Sequence, residues 1–385
     1  NLFNRLFRKP EAKSLSNPYT SVYPFAGSAT WNLGSVNHSA YIREGYAGNP
    51  YVFRCVSLIA QATAGVPWSV LKRGKDRQEE ALSNHPLMTL IKRPNPGMGR
   101  SQFFELLTAQ SLVYGNCYLL KVSSEYSKLP IGLYLLDPGQ IRVEKNIYGE
   151  PRYLCNKQEY SAEEVLHLKR LNLSNPDSGM SPLTPASKSI DLNNESRTWN
   201  KSLLENGARL SGALLSKSSL TDADYERAKT ELREQYQGAS NAGGVLLLEG
   251  DLSWQAMSMT PDDASWVDGQ KITVREIAAA FGVPSTLLGD PEASTLANYK
   301  ESRKSLYQDV VLPWLDYLRD ELNPFIASPF GNDLYLDYNS NEIEALAEDR
   351  TEVADRSVKL YSGGIITANE AREQNGLPRI LNDLA

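Results

Sequence analysis

The stretch from Ser181-Pro182 to Asn206-Gly207 restricts the fold more than any other segment. Ser-Pro is a helix-opening pair and Asn-Gly a helix-closing one. The helix between them carries only a thin apolar stripe, Ile190, Leu192, Trp199 and Leu203. A helix that serves a monomer core shows a broad apolar face. So narrow a stripe on so polar a helix points to packing against copies of itself.

The rest of the chain must supply the core. At 385 residues and roughly 150 residues per domain, two to three domains are expected. Hydrophobic residues make up 41% and charged residues 22%, which suits a globular interior. No apolar run approaches the roughly 20 residues that cross a bilayer. Cys55, Cys117 and Cys155 are odd in number and have neither metal-ligand nor redox spacing, which fits a reducing cytoplasm. Asn1 to Pro10 (NLFNRLFRKP) reads as a frayed terminus, with a membrane-surface or partner-docking helix as the other reading. The net charge is −6. Proteins that grip nucleic acid concentrate basic residues, so any contact with DNA is expected to be loose.

Local signals divide the chain. Residues 10–48 are rich in Ser, Asn, Gly and Pro and read as an extended arm. Asn49-Pro50 opens a helix to Gly65 with Val52, Val56, Ile59, Ala60 and Thr63 on one face. A second helix, 101–114, turns Phe104, Leu107, Leu112 and Val113 inward and stops at Gly115-Asn116. Short strands follow at Cys117–Val122, Gly132–Leu136, Gln140–Glu144 and Arg152–Cys155. Another, Val165–Leu168, follows the capping box Ser161-Ala162-Glu163-Glu164. This part is α+β.

Beyond the polar helix, residues 208–257 form a small α/β insert. It has strands at Gly212–Leu215, Val245–Leu248 and Leu252–Met257 and a helix opened by Thr221-Asp222-Ala223-Asp224. That helix carries a charged face: Glu226, Arg227, Lys229, Arg233 and Glu234. A helix from Thr260-Pro261 to Phe281 follows. The loop 285–297 (STLLGDPEASTLA) contains no Lys or Arg. A helix at 298–322 is expected to kink at Pro313, then a strand at Leu334–Tyr338. Two last helices are expected at 341–361 and 368–375, the second behind the box Thr367-Ala368-Asn369-Glu370.

Motifs for catalysis are missing from the sequence. His38, His85 and His167 are far apart and never in metal-binding spacing. Gly179-Met180-Ser181-Pro182-Leu183 lacks the second glycine of a nucleophile elbow. Cys117 lies on a strand, where a buried structural thiol is the plain reading. Gly74-Lys75 is followed by Asp76 where a phosphate loop needs Ser or Thr. Asp222, Asp224, Asp262 and Asp263 sit at helix starts, where the helix dipole accounts for them. No enzyme, metal or cofactor is expected.

A series of motifs nevertheless runs in order along some 330 residues. It begins with Asn49-Pro50-Tyr51-Val52, Cys55-Val56 and Val66-Pro67-Trp68, then His85-Pro86-Leu87 and Gly115-Asn116-Cys117-Tyr118. Gly179-Met180-Ser181-Pro182-Leu183, Asn206-Gly207 and Asn241-Ala242-Gly243 follow. The series closes with Ile277-Ala278 to Phe281-Gly282-Val283-Pro284, Leu287-Leu288-Gly289, and Gly364-Ile365-Ile366-Thr367-Ala368-Asn369-Glu370 with Gly376-Leu377-Pro378. In this order they resemble the portal proteins of tailed bacteriophages, in particular the subtype from phages with long, non-contractile tails. Cys117 departs from the family's Gly-Asn-Ala-Tyr.

The resemblance implies a portal fold assembled as a cyclic ring, usually of twelve subunits, at one capsid vertex. It implies an N-terminal arm (1–48), a wing (49–180 and 298–339), two stem helices (181–207 and 258–284), an α/β clip (208–257), a tunnel loop (285–297) and a helical crown (340–385). It further implies double-stranded DNA passing through the channel, and partners in the terminase large subunit, the major capsid or scaffolding protein, and a head-completion or tail adaptor protein. The role is genome packaging, initiation of capsid assembly, head–tail joining and DNA ejection. Assembly is expected in the host bacterial cytoplasm, and the final location in the virion, with no membrane contact. On this reading Gly289, Asp290, Pro291, Glu292, Ser294 and Thr295 face DNA, with Asp290 and Glu292 repelling phosphate. Arg227, Lys229 and Arg233 dock partners. The alternative is a nucleic-acid-processing enzyme of the same phage, such as a nuclease, which needs clustered carboxylates around a metal.

Overall fold

Asn49 opens the first α-helix in the way its sequence demands. The computed structural model describes residues 41–73, 79–124, 126–147, 149–205, 212–216, 225–227, 229–230, 252–256, 266–290, 295–346, 350–375 and 377. The Asn49 side-chain oxygen accepts hydrogen bonds from the Tyr51 and Val52 amides at 3.0 and 3.2 Å. This caps α1 (Pro50–Gly65) and satisfies two amides that no helix turn can reach. Val52, Cys55, Val56, Ile59, Ala60 and Thr63 are buried. They pack on α3 (Arg100–Tyr114), whose Phe103, Phe104, Leu107 and Leu112 face inward. Between them lie β1 (Trp68–Arg73), β2 (Glu79–Ala81) and the short α2 (Pro86–Lys92).

Gly115 ends α3 in a left-handed conformation, φ 76°, and the chain turns directly into β3 (Asn116–Ser123). Here β3 is the centre of a three-stranded antiparallel sheet between β4 (Pro130–Leu136) and β8 (Val165–Lys169). A second antiparallel sheet joins β5 (Ile141–Lys145), β6 (Pro151–Cys155) and β7 (Gln158–Tyr160). The Ser161–Glu164 box forms as a turn into β8: the Ser161 amide donates to the Glu164 carboxylate at 2.9 Å.

α4 (Leu183–Glu205) and α5 (Trp266–Phe281) pack side by side. Between them in sequence, β9 (Gly212–Ser216) pairs antiparallel with β10 (Leu252–Ala256), and residues 225–227 and 229–230 are helical. After α5 come α6 (Leu296–Leu306), a π-helical turn at Tyr307–Val311 and α7 (Leu312–Leu322). β11 (Leu334–Tyr338) then returns to pair with β1, Trp68 opposite Tyr338 and Lys72 opposite Leu334. α8 (Arg350–Ser362) and α9 (Ala368–Gln374) close the chain. One apolar core unites α1, α3, α5 and α7 with β1, β3 and β11.

Three expectations need correction, and four elements were not expected at all. Residues 41–46 are not extended arm but a π-helical turn. It is held because the Asn194 side chain donates to the Glu44 carbonyl at 3.2 Å. β1, β2, β7 and α2 gave no clear signal; β1 owes its place to β11, far along the chain, and strand propensity is weak without its partner. The helix expected at 298–322 with a kink at Pro313 is instead interrupted before that residue, by the π-helical turn Tyr307–Val311 between α6 and α7. The helix expected from 341 is described only from Arg350; Ser340–Glu342 is a 3₁₀ turn. The expected strand Val245–Leu248, the helix start at Thr221 and the start at Thr260 lie outside the described residues.

Candidate functional site

α4 and α5 meet through polar side chains. The Asn193 amide donates to the Thr273 hydroxyl at 3.1 Å, and Ser189 donates to the Glu276 carboxylate at 2.5 Å. Asn193 and Thr273 are each 2% exposed. The Asn49 amide in turn donates to Asn193 and Asn194 at 3.1 and 2.9 Å. A single asparagine therefore caps α1 and ties it to α4. Buried amides of this kind are stable only when paired, and here the pairing fixes how the two long helices attach to the core. The apolar stripe of α4 splits accordingly: Ile190 is buried, whereas Leu192 is 55% exposed.

At its end α5 turns at Gly282 and runs through a 3₁₀ turn, Ser285–Leu288, to Gly289, which is left-handed at φ 88°. Leu287 is buried. The Arg275 guanidinium holds the Asp290 carboxylate at 2.8 Å, and Ser285 donates to the same oxygen at 3.3 Å. The Asp290 side chain is only 7% exposed. This changes the expectation for Asp290: its charge is paired within the chain and does not face outward as an open anion. Burying a carboxylate requires such a partner, and Arg275, fifteen residues back on α5, is one the loop's own sequence does not reveal.

Pro291, Glu292 and Ser294 lie outside the described residues. Thr295 is exposed, and its hydroxyl accepts from the Asn298 amide at 3.2 Å, capping α6. Arg227 and Lys229 are exposed on the helical segment of the insert. Lys229 lies 3.2 Å from Glu226 and 5.8 Å from the Tyr225 ring centre. Arg233 lies outside the described residues. The site's other half, Asn49, Asn193, Asn194, Thr273 and Arg275, had no motif to announce it. The Asn49-Pro50 cap was the one available signal.

The chemically active residue types have structural surroundings. His85 caps α2, its ring nitrogen accepting from the Leu87 amide at 3.2 Å. His38 lies outside the described residues. His167 stacks on Tyr118, ring centres 4.3 Å apart, with Nε2 2.9 Å from the Asn116 side-chain oxygen. Burial, reinforced by the charge of Lys169, pushes its pKa down to about 3. Cys55 and Cys117 are buried; burial pushes the Cys55 thiol up to about 12 and raises that of Cys117. Among the described residues no group of three or more His, Cys, Asp or Glu side chains gathers around a point where a metal ion fits. No described helix is long and apolar enough to cross a membrane.

Comparison with known proteins places these elements in context. The profile of the family described as Phage portal protein matches residues 50–376. An uncharacterised protein of Rickettsia bellii is 37% identical over 348 residues, covering 88% of this chain and 89% of its own length. The portal protein of Enterobacteria phage HK97 is 28% identical over 340 residues, covering 85% of this chain and 78% of its own. Among solved structures, the neck of an empty gene transfer agent particle, computed with C6 symmetry, superposes with a TM-score of 0.67 at 34% identity, over 92% of this chain and 97% of the other.

Proposed function

The chain belongs to the phage portal protein family, and from that premise we propose that twelve copies close into the ring through which DNA enters and leaves one vertex of a capsid. The single observation that carries the reading is the span of the family match, 50–376, which takes in the core, both long helices and the insert between them. The C6 symmetry of the related neck supports a closed ring of copies. The chain's place is then the particle itself, and its role is structural: packaging, initiation of capsid assembly, head–tail joining and ejection.

The finer assignments follow the order of elements. α4 and α5 are the stem pair, 208–257 the clip, 285–297 the tunnel loop, and 340–385 the crown. The clip meets the terminase large subunit and later a head-completion or tail adaptor protein through Arg227, Lys229 and Arg233. The wing meets the major capsid or scaffolding protein. In the tunnel loop Glu292 supplies the charge that keeps DNA from being gripped. A protein that neutralises several phosphates at once loses decades of affinity on modest addition of salt; such a grip would stall translocation. Asp290, paired with Arg275, sets the root of the loop.

Particles assembled without this chain should contain no DNA, and antibodies against it should label a single vertex of intact particles. Label on every vertex, or filled particles without the chain, contradicts the reading. One comparison favours a narrower version. Identity to the gene transfer agent neck, 34%, exceeds identity to the HK97 portal, 28%, which favours a gene transfer agent particle as the carrier. Sequencing the DNA inside purified particles tests this, a single repeated phage genome counting against it.

A further inference from the structure

We propose that neighbouring subunits lock together by seating the Leu192 side chain of one copy, flanked by Glu195, in the groove between α1 and α4 of the next. The proposal rests on the ring reading above and specifies which surfaces meet.

Two opposite faces of α4 support it. Residues of an α-helix advance about 100° each. Leu192, Glu195 and Trp199 therefore share one face; Arg197 and Lys201 lie about 150° around the helix from it, with Asn193 and Asn200 between, roughly 110–130° away. The first face is exposed: Leu192 at 55%, Glu195 beside it and Trp199 at 37%. Leu192 gives this polar helix an exposed apolar point, and Asp191 and Glu195 make its surroundings acidic, with Lys188 one turn away. The second face forms one wall of a solvent-open groove of about 650 Å³. Pro50 and Tyr51 at the start of α1 line the groove with apolar surface, Gln270 of α5 joins them, and Arg197 and Lys201 of α4 add two cations to its lining.

The two faces are complementary. An apolar tip with an acidic flank matches a groove lined by Pro50 and Tyr51 together with the cations Arg197 and Lys201. Because they lie on opposite sides of one helix, joining the first face to the second face of another copy leaves both outer faces open for the next contact. Such a head-to-tail contact closes into a ring when its rotation is right. A patch that paired with itself makes a dimer and stops. The buried Asn49–Asn193 bond holds Pro50 and Tyr51 against α4, so the groove is preformed.

The test uses the full chain and three variants: Glu195→Arg, Arg197→Glu, and both together. The fraction in rings is followed against concentration by mass photometry. Each single variant places like charges across the contact, and its half-assembly concentration should rise about tenfold or more. The double variant restores opposite charges in swapped positions and should return to within about threefold of the wild type. Independently, Leu192→Cys with Asn200→Cys should give a ladder of covalent multimers when assembled rings are oxidised. The native thiols are buried and should stay silent. A double variant no better than the singles, or rings that give no ladder, overturns the proposed contact; wild-type rings in the same experiment leave the family reading standing. A wild type that stays monomeric overturns the contact and the ring reading alike.

Discussion

Arg275 on α5 and Asp290, just beyond the turn that follows it, form an ion pair 2.8 Å long in which the carboxylate is almost fully enclosed and the guanidinium is 44% exposed. The two members differ in consequence. Removing the arginine takes the counter-charge from a buried carboxylate; replacing the acid with its amide leaves a neutral group that still bonds to Ser285.

Arg275→Ala should therefore destabilise the chain more than Asp290→Asn. The exposed guanidinium limits the loss, so about 1–2 kcal/mol is expected for the first and less than about 1 kcal/mol for the second. Urea unfolding followed by tryptophan fluorescence gives the order. Equal losses mean that the pair does not anchor the turn.

Asn49 has two separable tasks, capping α1 and bonding to Asn193 and Asn194. Asn49→Ser retains a cap but cannot reach α4, and Asn49→Ala loses both. The alanine variant should cost about 2–3 kcal/mol and the serine variant roughly half of that. Hydrogen exchange should then speed up in α4 for both variants, and in the first turn of α1 only for alanine.

The junction between α3, β3 and α4 tolerates no side chain at two glycines. A Cβ on Gly179 would lie 2.0 Å from the Gly115 carbonyl oxygen, and one on Gly115 would lie 2.6 Å from the backbone of Met180 and Ser181. These obstacles are backbone and cannot rotate away. Gly179→Ala and Gly115→Ala should each lower stability by about 3 kcal/mol or more. Gly65→Ala meets nothing within 4 Å and should be tolerated. Soluble yield and melting temperature check the contrast.

His167 predicts a pH dependence. Its folded pKa is held near 3 by burial beside Tyr118, against about 6.5 in an unfolded chain. Below about pH 6.5 the unfolded state takes up a proton that the folded state refuses, so stability contributed by the neutral ring is complete above that pH and falls as pH drops toward 3. His167→Phe cannot titrate and should flatten the stability profile over that window, at the expense of the Asn116 bond. An unchanged slope would place the acid sensitivity elsewhere.

Much of this was legible in the sequence. The Asn49 cap, the inward face of α1, the Gly115 stop and the Thr367 capping box all act within a few residues, and each stands as read. What stayed hidden depends on residues far apart in the chain. β1 needs β11, the Asn49 amide needs Asn193, and the Asp290 carboxylate needs Arg275. Without a visible partner, an acidic residue in a cation-poor loop reads as an open charge. The ordering of 41–46 was hidden for the same reason, since Asn194 holds it from α4.

The mass of the assembled particle tests the central claim most directly. Native mass spectrometry of the purified full chain at micromolar concentration and moderate salt should give one dominant species near twelve times the 42.8 kDa of a single chain. A stable monomer under those conditions, or an open-ended series of sizes with no closed species, would contradict the account.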